Sequence, residues 1–270
     1  MTDDLGDRMK EYEMAEAGRR LMLGLPVCAR IDGKRFSRFT EGLARPYDER
    51  MSQLMVSTTK YLVEESAALA GYTQSDEISL LWYDDDPKVQ LFLDRRIQKL
   101  TSILASMATA CFNAHVAEAL PEKAGTPALF DCRVWSVSSQ VEAANVFLWR
   151  ELDATKNSVS MAARAHYPHE LLHGKSGAEM QELLFEKGVN WNDYPGFFKR
   201  GTFVLRRATT RRFRADELDA LPPRHAARTH PDLLVTRHEV RPVEMPPFGR
   251  VTNRVGVLFA GEEPEIQEAG

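Results

Sequence analysis

The chain has 270 residues, 43% hydrophobic and 27% charged, which allows a sizeable core in one large domain or two closely packed ones. No apolar run approaches bilayer-spanning length, and Met1-Thr2-Asp3-Asp4 leads to no signal-like apolar core, so no membrane partner and no export are expected, and a cytoplasmic location is. The net charge of −4 argues against a uniformly basic nucleic-acid binder, and three scattered cysteines (Cys28, Cys111, Cys132) argue against a disulfide framework or zinc knuckle.

Residues 1 to 20 read as a charged helix. Leu25, Val27, Ala29 and Ile31 then alternate with Pro26, Cys28, Arg30 and Asp32, the period of a half-buried strand. Asp32 falls on the face opposite the apolar positions, at the strand end, where Gly33-Lys34-Arg35-Phe36-Ser37 forms a short polar loop. Pro46-Tyr47-Asp48 opens a helix with Asp48 as N-cap, and Gly71 is its expected end. Two extended runs flanking Ser75-Asp76 read as a hairpin, with Ile78, Leu80 and Trp82 on one face. A hairpin beside the first strand brings Asp76 next to Asp32. Two hard carboxylates side by side repel unless a divalent cation lies between them. Strand alternation points Glu77 away from Asp76.

Asp84-Asp85-Asp86-Pro87 marks a break, and a long helix is expected from about Val89 to Leu120, with Arg95, Arg96 and Lys99 charging its first turns. A basic helix N-terminus suits phosphate. Leu129 to Val137 reads as a strand around Asp131, Cys132 and Arg133. The order strand, helix, hairpin, helix, strand is the βαββαβ arrangement of a ferredoxin-like α+β domain with an antiparallel sheet. It spans 1–138, and a helical and β C-terminal part, 139–270, packs on it.

In that second part Ser139-Gln140-Val141-Glu142 and Ser176-Gly177-Ala178-Glu179 are capping boxes, and the first helix runs on until it breaks before Pro168. Thr202–Arg207 and Leu234–Val243 read as two late strands. Lys199, Arg200, Arg206, Arg207, Arg211, Arg212 and Arg214 follow one another without an acidic residue, a patch suited to a polyanion, while Glu262, Glu263, Glu265 and Glu268 make the tail acidic. His166, His169 and His173 surround a helix-breaking Pro168 and read as a solvated turn. Gly174-Lys175-Ser176 lacks the first glycine and the strand of a P-loop.

Arg30-Ile31-Asp32-Gly33 with Phe36 and Phe39, Arg45-Pro46-Tyr47-Asp48, Gln74-Ser75-Asp76-Glu77, Arg95-Arg96 with Lys99, and Phe130-Asp131-Cys132-Arg133-Val134 resemble the tRNA-His guanylyltransferase family. Trp149-Arg150 with Asp153 and Asn157, and Phe198-Lys199-Arg200-Gly201, continue the likeness, which covers about residues 25 to 207. The resemblance implies a polymerase-like palm that works in the 3′–5′ direction and adds nucleotides, G included, to the 5′ end of tRNA. It implies two Mg²⁺ ions, ATP and GTP or other nucleoside triphosphates as substrates, tRNA as partner and a homotetramer. Asp32, Asp76 and Glu77 would be catalytic, and Asp32, Gly33 and Asp76 would hold metal. Gly33, Lys34, Arg35, Phe36, Ser37, Asp48 and Ser75 would meet the nucleotide. Arg95, Arg96, Lys99, Arg133, Arg150, Asp153, Asn157, Lys199 and Arg200 would meet phosphates or tRNA.

The likeness is greatest to the bacterial and archaeal guanylyltransferase-like proteins that repair tRNA 5′ ends. Thr155-Lys156-Asn157-Ser158-Val159-Ser160-Met161 stands where the eukaryotic type carries His-Ile-Asn-Asn-Leu-Tyr-Asn, and Ser37 stands where a His is usual. A nucleotidyl cyclase uses a similar palm and the same two carboxylates. A non-catalytic RNA-binding module would use the basic patch alone.

Overall fold

The computed structural model describes residues 4–86, 88–230 and 232–266. Met1–Asp3, the Pro87 end of the expected break and Glu268 of the acidic tail lie outside the described residues.

Helix α1 (Asp4–Ala17) precedes strand β1 (Val27–Gly33) and a single turn, α2 (Phe36–Phe39). Helix α3 (Glu49–Ser66) leads into strands β2 (Ala70–Gln74) and β3 (Glu77–Trp82). Helix α4 (Ile97–Ala119) is followed by β4 (Phe130–Ser136) and the long α5 (Gln140–His166). Short helices α6 (His169–Leu172), α7 (Gly177–Glu186) and α8 (Gly196–Arg200) come next. Strand β5 (Thr202–Arg212), helices α9 (Ala215–Ala220) and α10 (Ala226–Thr229), and β6 (Leu234–Val243) complete the set.

The six strands form one antiparallel sheet of order β4-β1-β3-β2-β5-β6. Its first four strands follow the βαββαβ path, and β5 joins it on the open edge of β2. Both faces are covered. Val27, Ala29, Ile31, Ile78, Leu80 and Trp82 pack beneath α3 and α4. Cys28, Tyr72 and Leu81 face Ala143, Ala144 and Phe147 of α5 and Phe248. The expected alternation of β1 therefore holds, but its even face is polar only toward the Asp32 end, because α5 buries the Cys28 end.

Several boundaries differ from expectation for local reasons. Asp48 caps α3 as expected, accepting from the Arg50 and Met51 amides. That helix ends not at Gly71 but at Ala67, which takes the left-handed conformation (φ 53°), and Gly71 lies in β2. α4 begins at Ile97 rather than near Val89, because Leu93, Asp94 and Arg95 all have positive φ and break the helical path. Arg96 caps it and Lys99 alone of the three expected cations lies within its first turn. With 23 residues and a mean hydropathy of 1.3, α4 is by length and composition able to span a bilayer, which corrects the sequence expectation. Here Leu100, Leu104, Ala108, Phe112 and Val116 form its buried stripe on the sheet. Ser139 caps α5 by accepting from Glu142, without the reciprocal bond of a full box, whereas Ser176 and Glu179 make both bonds. Cys28, Cys111 and Cys132 are free thiols.

Candidate active site

The site begins where β1 ends. Pairing across β4, β1 and β3 sets Asp131, Asp32 and Glu77 in one row, and Arg133, Arg30 and Ser79 in the next pair-row inward. Directly opposed residues share a face, so Asp32 and Glu77 lie on the same side of the sheet. Like charges directly opposed destabilise a sheet. Among these carboxylates, Glu77 is neutralised by Arg150, which bonds one of its oxygens, and by Arg30, 3.8 Å from the other. Burial nevertheless raises the Glu77 carboxyl above its ordinary range, with Arg150 and Arg30 opposing the shift.

Arg150 is 6% exposed and also bonds Asp153 at 3.1 Å. Its guanidinium is stacked 4.6 Å from the Trp149 ring centre. In this structure Arg150, expected at phosphate or tRNA, is engaged with Glu77 and Asp153 and acts on the site by fixing Glu77. The i,i+3 spacing of Arg150 and Asp153 on α5 sets these two side chains beside each other.

Asp76 sits at the tip of the β2–β3 hairpin, next to Ser75, whose backbone is left-handed (φ 54°). A non-glycine residue held there costs about 1–3 kcal/mol and needs its surroundings to fix it. The fixing contact is the Gly33 amide, which donates to the Asp76 carbonyl at 3.1 Å and ties the tip to the end of β1. Burial lifts the Asp76 carboxyl to about 6, the Ser75 hydroxyl opposes that shift, and the charges of Asp32 and Glu77 add to it. The strand end and the hairpin tip are thus close enough to feel each other's charge, as the sequence reading required.

Gly33 is needed for a second reason. A Cβ there would lie 2.2 Å from the Phe36 ring, which closes under the loop. Phe36 packs with Phe39, Phe112 and Phe130 at ring separations of 5.0–5.6 Å, so α2 is anchored to the core.

A cleft of about 530 Å³ opens beside Asp76. Phe36 and Ser37 of α2, Ser75, and the segment from Leu43 to Ser52 form its walls, with Met161 and Arg164 of α5 facing them. That volume suits a small-molecule ligand. Met161 and Arg164 were missed in the sequence, although they continue the Asp153–Asn157 face of α5 at helical spacing. The cleft's far side is held by Tyr47, which packs on Phe197 and Phe198 at 5.2 and 4.8 Å.

The remaining expected site residues fall in different places. Asp48 lines the cleft, but its carboxylate already accepts from Arg50, Met51 and Ala44 and is held below its ordinary range chiefly by Arg50. Lys34 and Arg35 do not line the cleft; they line a second cavity on the far side of α2. Arg95 and Arg96 are bound up with the segment after α1, through Leu21 to the Arg95 carbonyl and Ile97 to the Arg19 carbonyl. Arg133 is exposed and pairs with Asp131 at 3.5 Å. Asn157 and Lys99 are exposed and line none of these cavities. Lys199 turns inward, donating to the Asn192 carbonyl and lying 5.5 Å from the Trp191 ring, and burial lowers its ammonium value. Arg200 lines a third cavity, of about 320 Å³, with Glu151.

Four arginines of the basic run after Arg200 have carboxylate partners in space, which corrects the expectation of an acid-free patch, while Arg206 donates to the Ala67 carbonyl. Arg207 pairs with Glu263, Arg211 with Glu217 and Glu239, Arg212 with Asp232, and Arg214 with Glu239.

Among the described residues no three His, Cys, Asp or Glu side chains converge as a metal cage. The donor set at Asp32 and Asp76 is two hard carboxylates with uncompensated mutual repulsion. That fits Mg²⁺, which is usually held by one or two carboxylates and completed by substrate phosphates.

Residues 6–138 match the sequence profile of the tRNAHis guanylyltransferase family. The chain is 30% identical to the tRNA(His) guanylyltransferase of Saccharomyces cerevisiae over 205 residues, 68% of this chain and 84% of that one. It is similar in structure to a bacterial tRNA(His) guanylyltransferase-like protein in complex with ATP, at 42% identity and a TM-score of 0.71, over 76% of this chain and 87% of the other. It is also similar to a bacterial guanylyltransferase-like protein in complex with GTP, at 35% identity and a TM-score of 0.69, over 92% and 94%.

Proposed function

We infer the function from membership: the chain belongs to the tRNA-His guanylyltransferase family and is a nucleotidyltransferase acting at the 5′ end of tRNA. Within that reaction class, we propose 3′–5′ addition of nucleotides templated by the opposing tRNA strand, as in repair of truncated tRNA. ATP and GTP are proposed substrates, in keeping with the nucleotides bound by its structural relatives. The observation that carries the reading is the hairpin tip. Asp76, tied through Gly33 to the end of β1 and sensing the charge of Asp32, opens directly into a nucleotide-sized cleft.

In this reading Asp32 and Asp76, with the Gly33 carbonyl, would hold two Mg²⁺ ions, which would supply charge neutralisation for phosphoryl transfer. Phe36, Ser37 and Ser75 meet the nucleotide, and Arg164 brings a cation to the opposite wall. Arg150 and Arg30 are the counter-charges of Glu77, which sits opposite Asp32 on the sheet and does not line the cleft. A 5′-monophosphate lacks a good leaving group. ATP first transfers its adenylyl group to that phosphate and releases pyrophosphate. The 3′-hydroxyl of the incoming nucleotide then attacks the 5′ phosphorus, the bond to AMP breaks, and AMP leaves. Phosphoryl transfer of this kind asks the protein mainly for positioning and charge neutralisation.

Template-directed repair rests on Thr155–Met161, which lacks the His and the paired Asn of the eukaryotic type. Met161 from this stretch faces the cleft instead. Without an anticodon reader, pairing with the 3′ strand is the available source of discrimination, and the tRNA body is held by shape and phosphates. The test compares truncated tRNAs of several identities, each with all four nucleotides, against full-length tRNA-His with GTP. Pairing-directed addition across the set is expected. Activity confined to tRNA-His, and lost when its anticodon is changed, would overturn the repair reading.

A further inference from the structure

We propose that the second cavity, on the side of α2 away from Asp76, holds the sugar–phosphate backbone of the RNA several nucleotides from its reacting end. This rests on the tRNA reading above. The cavity is about 560 Å³, and its rim carries Lys34, Arg35, Arg38 and Lys123 against one carboxylate, Glu41. Lys34, Arg35 and Arg38 are exposed, and none has an ion pair or side-chain hydrogen bond among the described residues. This sets them apart from the Arg206–Arg214 run, four of whose arginines have carboxylate partners. Lys123 is fixed in place, donating to the Glu41 carbonyl and lying 5.9 Å from the Phe39 ring.

The placement favours RNA backbone over a lone nucleotide. α2 is the common wall of the two cavities: Phe36 and Ser37 line the Asp76 cleft, and Arg38 and Phe39 line this one. The width of a helix is about 10–12 Å. In a duplex each strand carries one phosphate per roughly 3.4 Å of helix axis, and successive phosphates along the backbone lie farther apart than that. A strand whose 5′ end lies at Asp76 and that runs past α2 therefore brings its backbone to Arg38 within a few nucleotides. Exposed Leu129 and Pro127 at the same cavity offer an apolar surface for ribose. The recognition is sequence-independent, as the repair of many tRNAs requires.

The test measures binding of a tRNA transcript lacking its first nucleotide, as a function of salt, by wild type and by the double variant Arg38→Gln, Lys123→Gln. Removing one phosphate-neutralising cation reduces the log–log salt slope by about 0.7–0.9, so a decrease of about 1.4–1.8 is expected. ATP affinity is expected to stay unchanged. Arg38→Gln alone, at an exposed position, is expected to give about half the decrease, which guards against misfolding of the double variant. An unchanged tRNA slope, or weakened ATP binding with tRNA binding intact, would overturn the cavity assignment. Failure of the wild type to extend any tRNA would instead overturn the reading on which it rests.

Discussion

Two basic regions of this protein look alike as sequence and differ as structure. Lys199–Arg214 holds seven cations and no carboxylate, the stronger signal on paper. In the fold Glu217, Asp232, Glu239 and Glu263, from later in the chain, neutralise four of its arginines. Lys34–Arg38, a short loop running into α2, holds three cations with no ion pair among the described residues. The charge open to a ligand is what is left after tertiary pairing. Residue counts along the chain cannot give that remainder, because α9, the loop before β6, β6 and the C-terminal segment supply the partners.

The largest expected effect comes from breaking a pairing where it is most buried. Arg150→Met removes a guanidinium that is 6% exposed and leaves Glu77, beside Asp32, with Arg30 at 3.8 Å as its remaining ion-pair partner among the described residues. Breaking a buried pair in this way costs about 3–5 kcal/mol. A urea midpoint shift corresponding to that loss is expected, and a loss under about 1 kcal/mol would mean that Arg150 is dispensable to the sheet.

A smaller effect sharpens the same contrast through an acid with no ion-pair partner among the described residues. Glu151 is 3% exposed and accepts from the Phe248 amide at 2.8 Å, yet burial lifts its carboxyl to about 7. A carboxyl raised in the folded state binds its proton more tightly there than when unfolded. Its contribution to stability is therefore full below about pH 4.5, declines as pH rises through about 7, and is flat above. The decline amounts to roughly 3 kcal/mol. Denaturation midpoints across pH are expected to show this fall in wild type and a shallower one in Glu151→Gln. An identical pH profile would remove Glu151 as its source.

The smallest effect is a contrast by design. Arg212→Gln with Arg214→Gln removes two charges from the β5 run, yet these side chains are engaged with Asp232 and Glu239. The salt slope of tRNA binding is expected to stay at the wild-type value, against the decrease expected at Arg38 and Lys123. A decrease of equal size in both variants would erase the distinction between paired and free cations.

Much of the site was legible because it rests on local rules. The period of β1 put Asp32 at a strand end, the polar Ser75-Asp76 tip marked a hairpin, and Asp48 was a visible cap. The order of elements then sufficed to place the two carboxylates near each other. What escaped depended on conformations or contacts that residue type does not announce. Leu93, Asp94, Arg95 and Ala67 take positive φ without being glycine, so one helix starts late and another ends early. Met161 and Arg164 become cleft walls only because α5 lies across the sheet. β5 extends to Arg212, five residues past expectation, because β6 pairs with it along that length.

The most direct test of the central claim, that Asp32 and Asp76 form the catalytic centre of tRNA 5′ addition, is nucleotide incorporation into 5′-truncated tRNA by Asp32→Ala and Asp76→Ala. Both variants are expected to lose incorporation altogether while melting no earlier than wild type, because each removes one of two carboxylates that repel. Incorporation within about tenfold of wild type, a barrier change of only about 1.4 kcal/mol, in either folded variant would contradict the assignment.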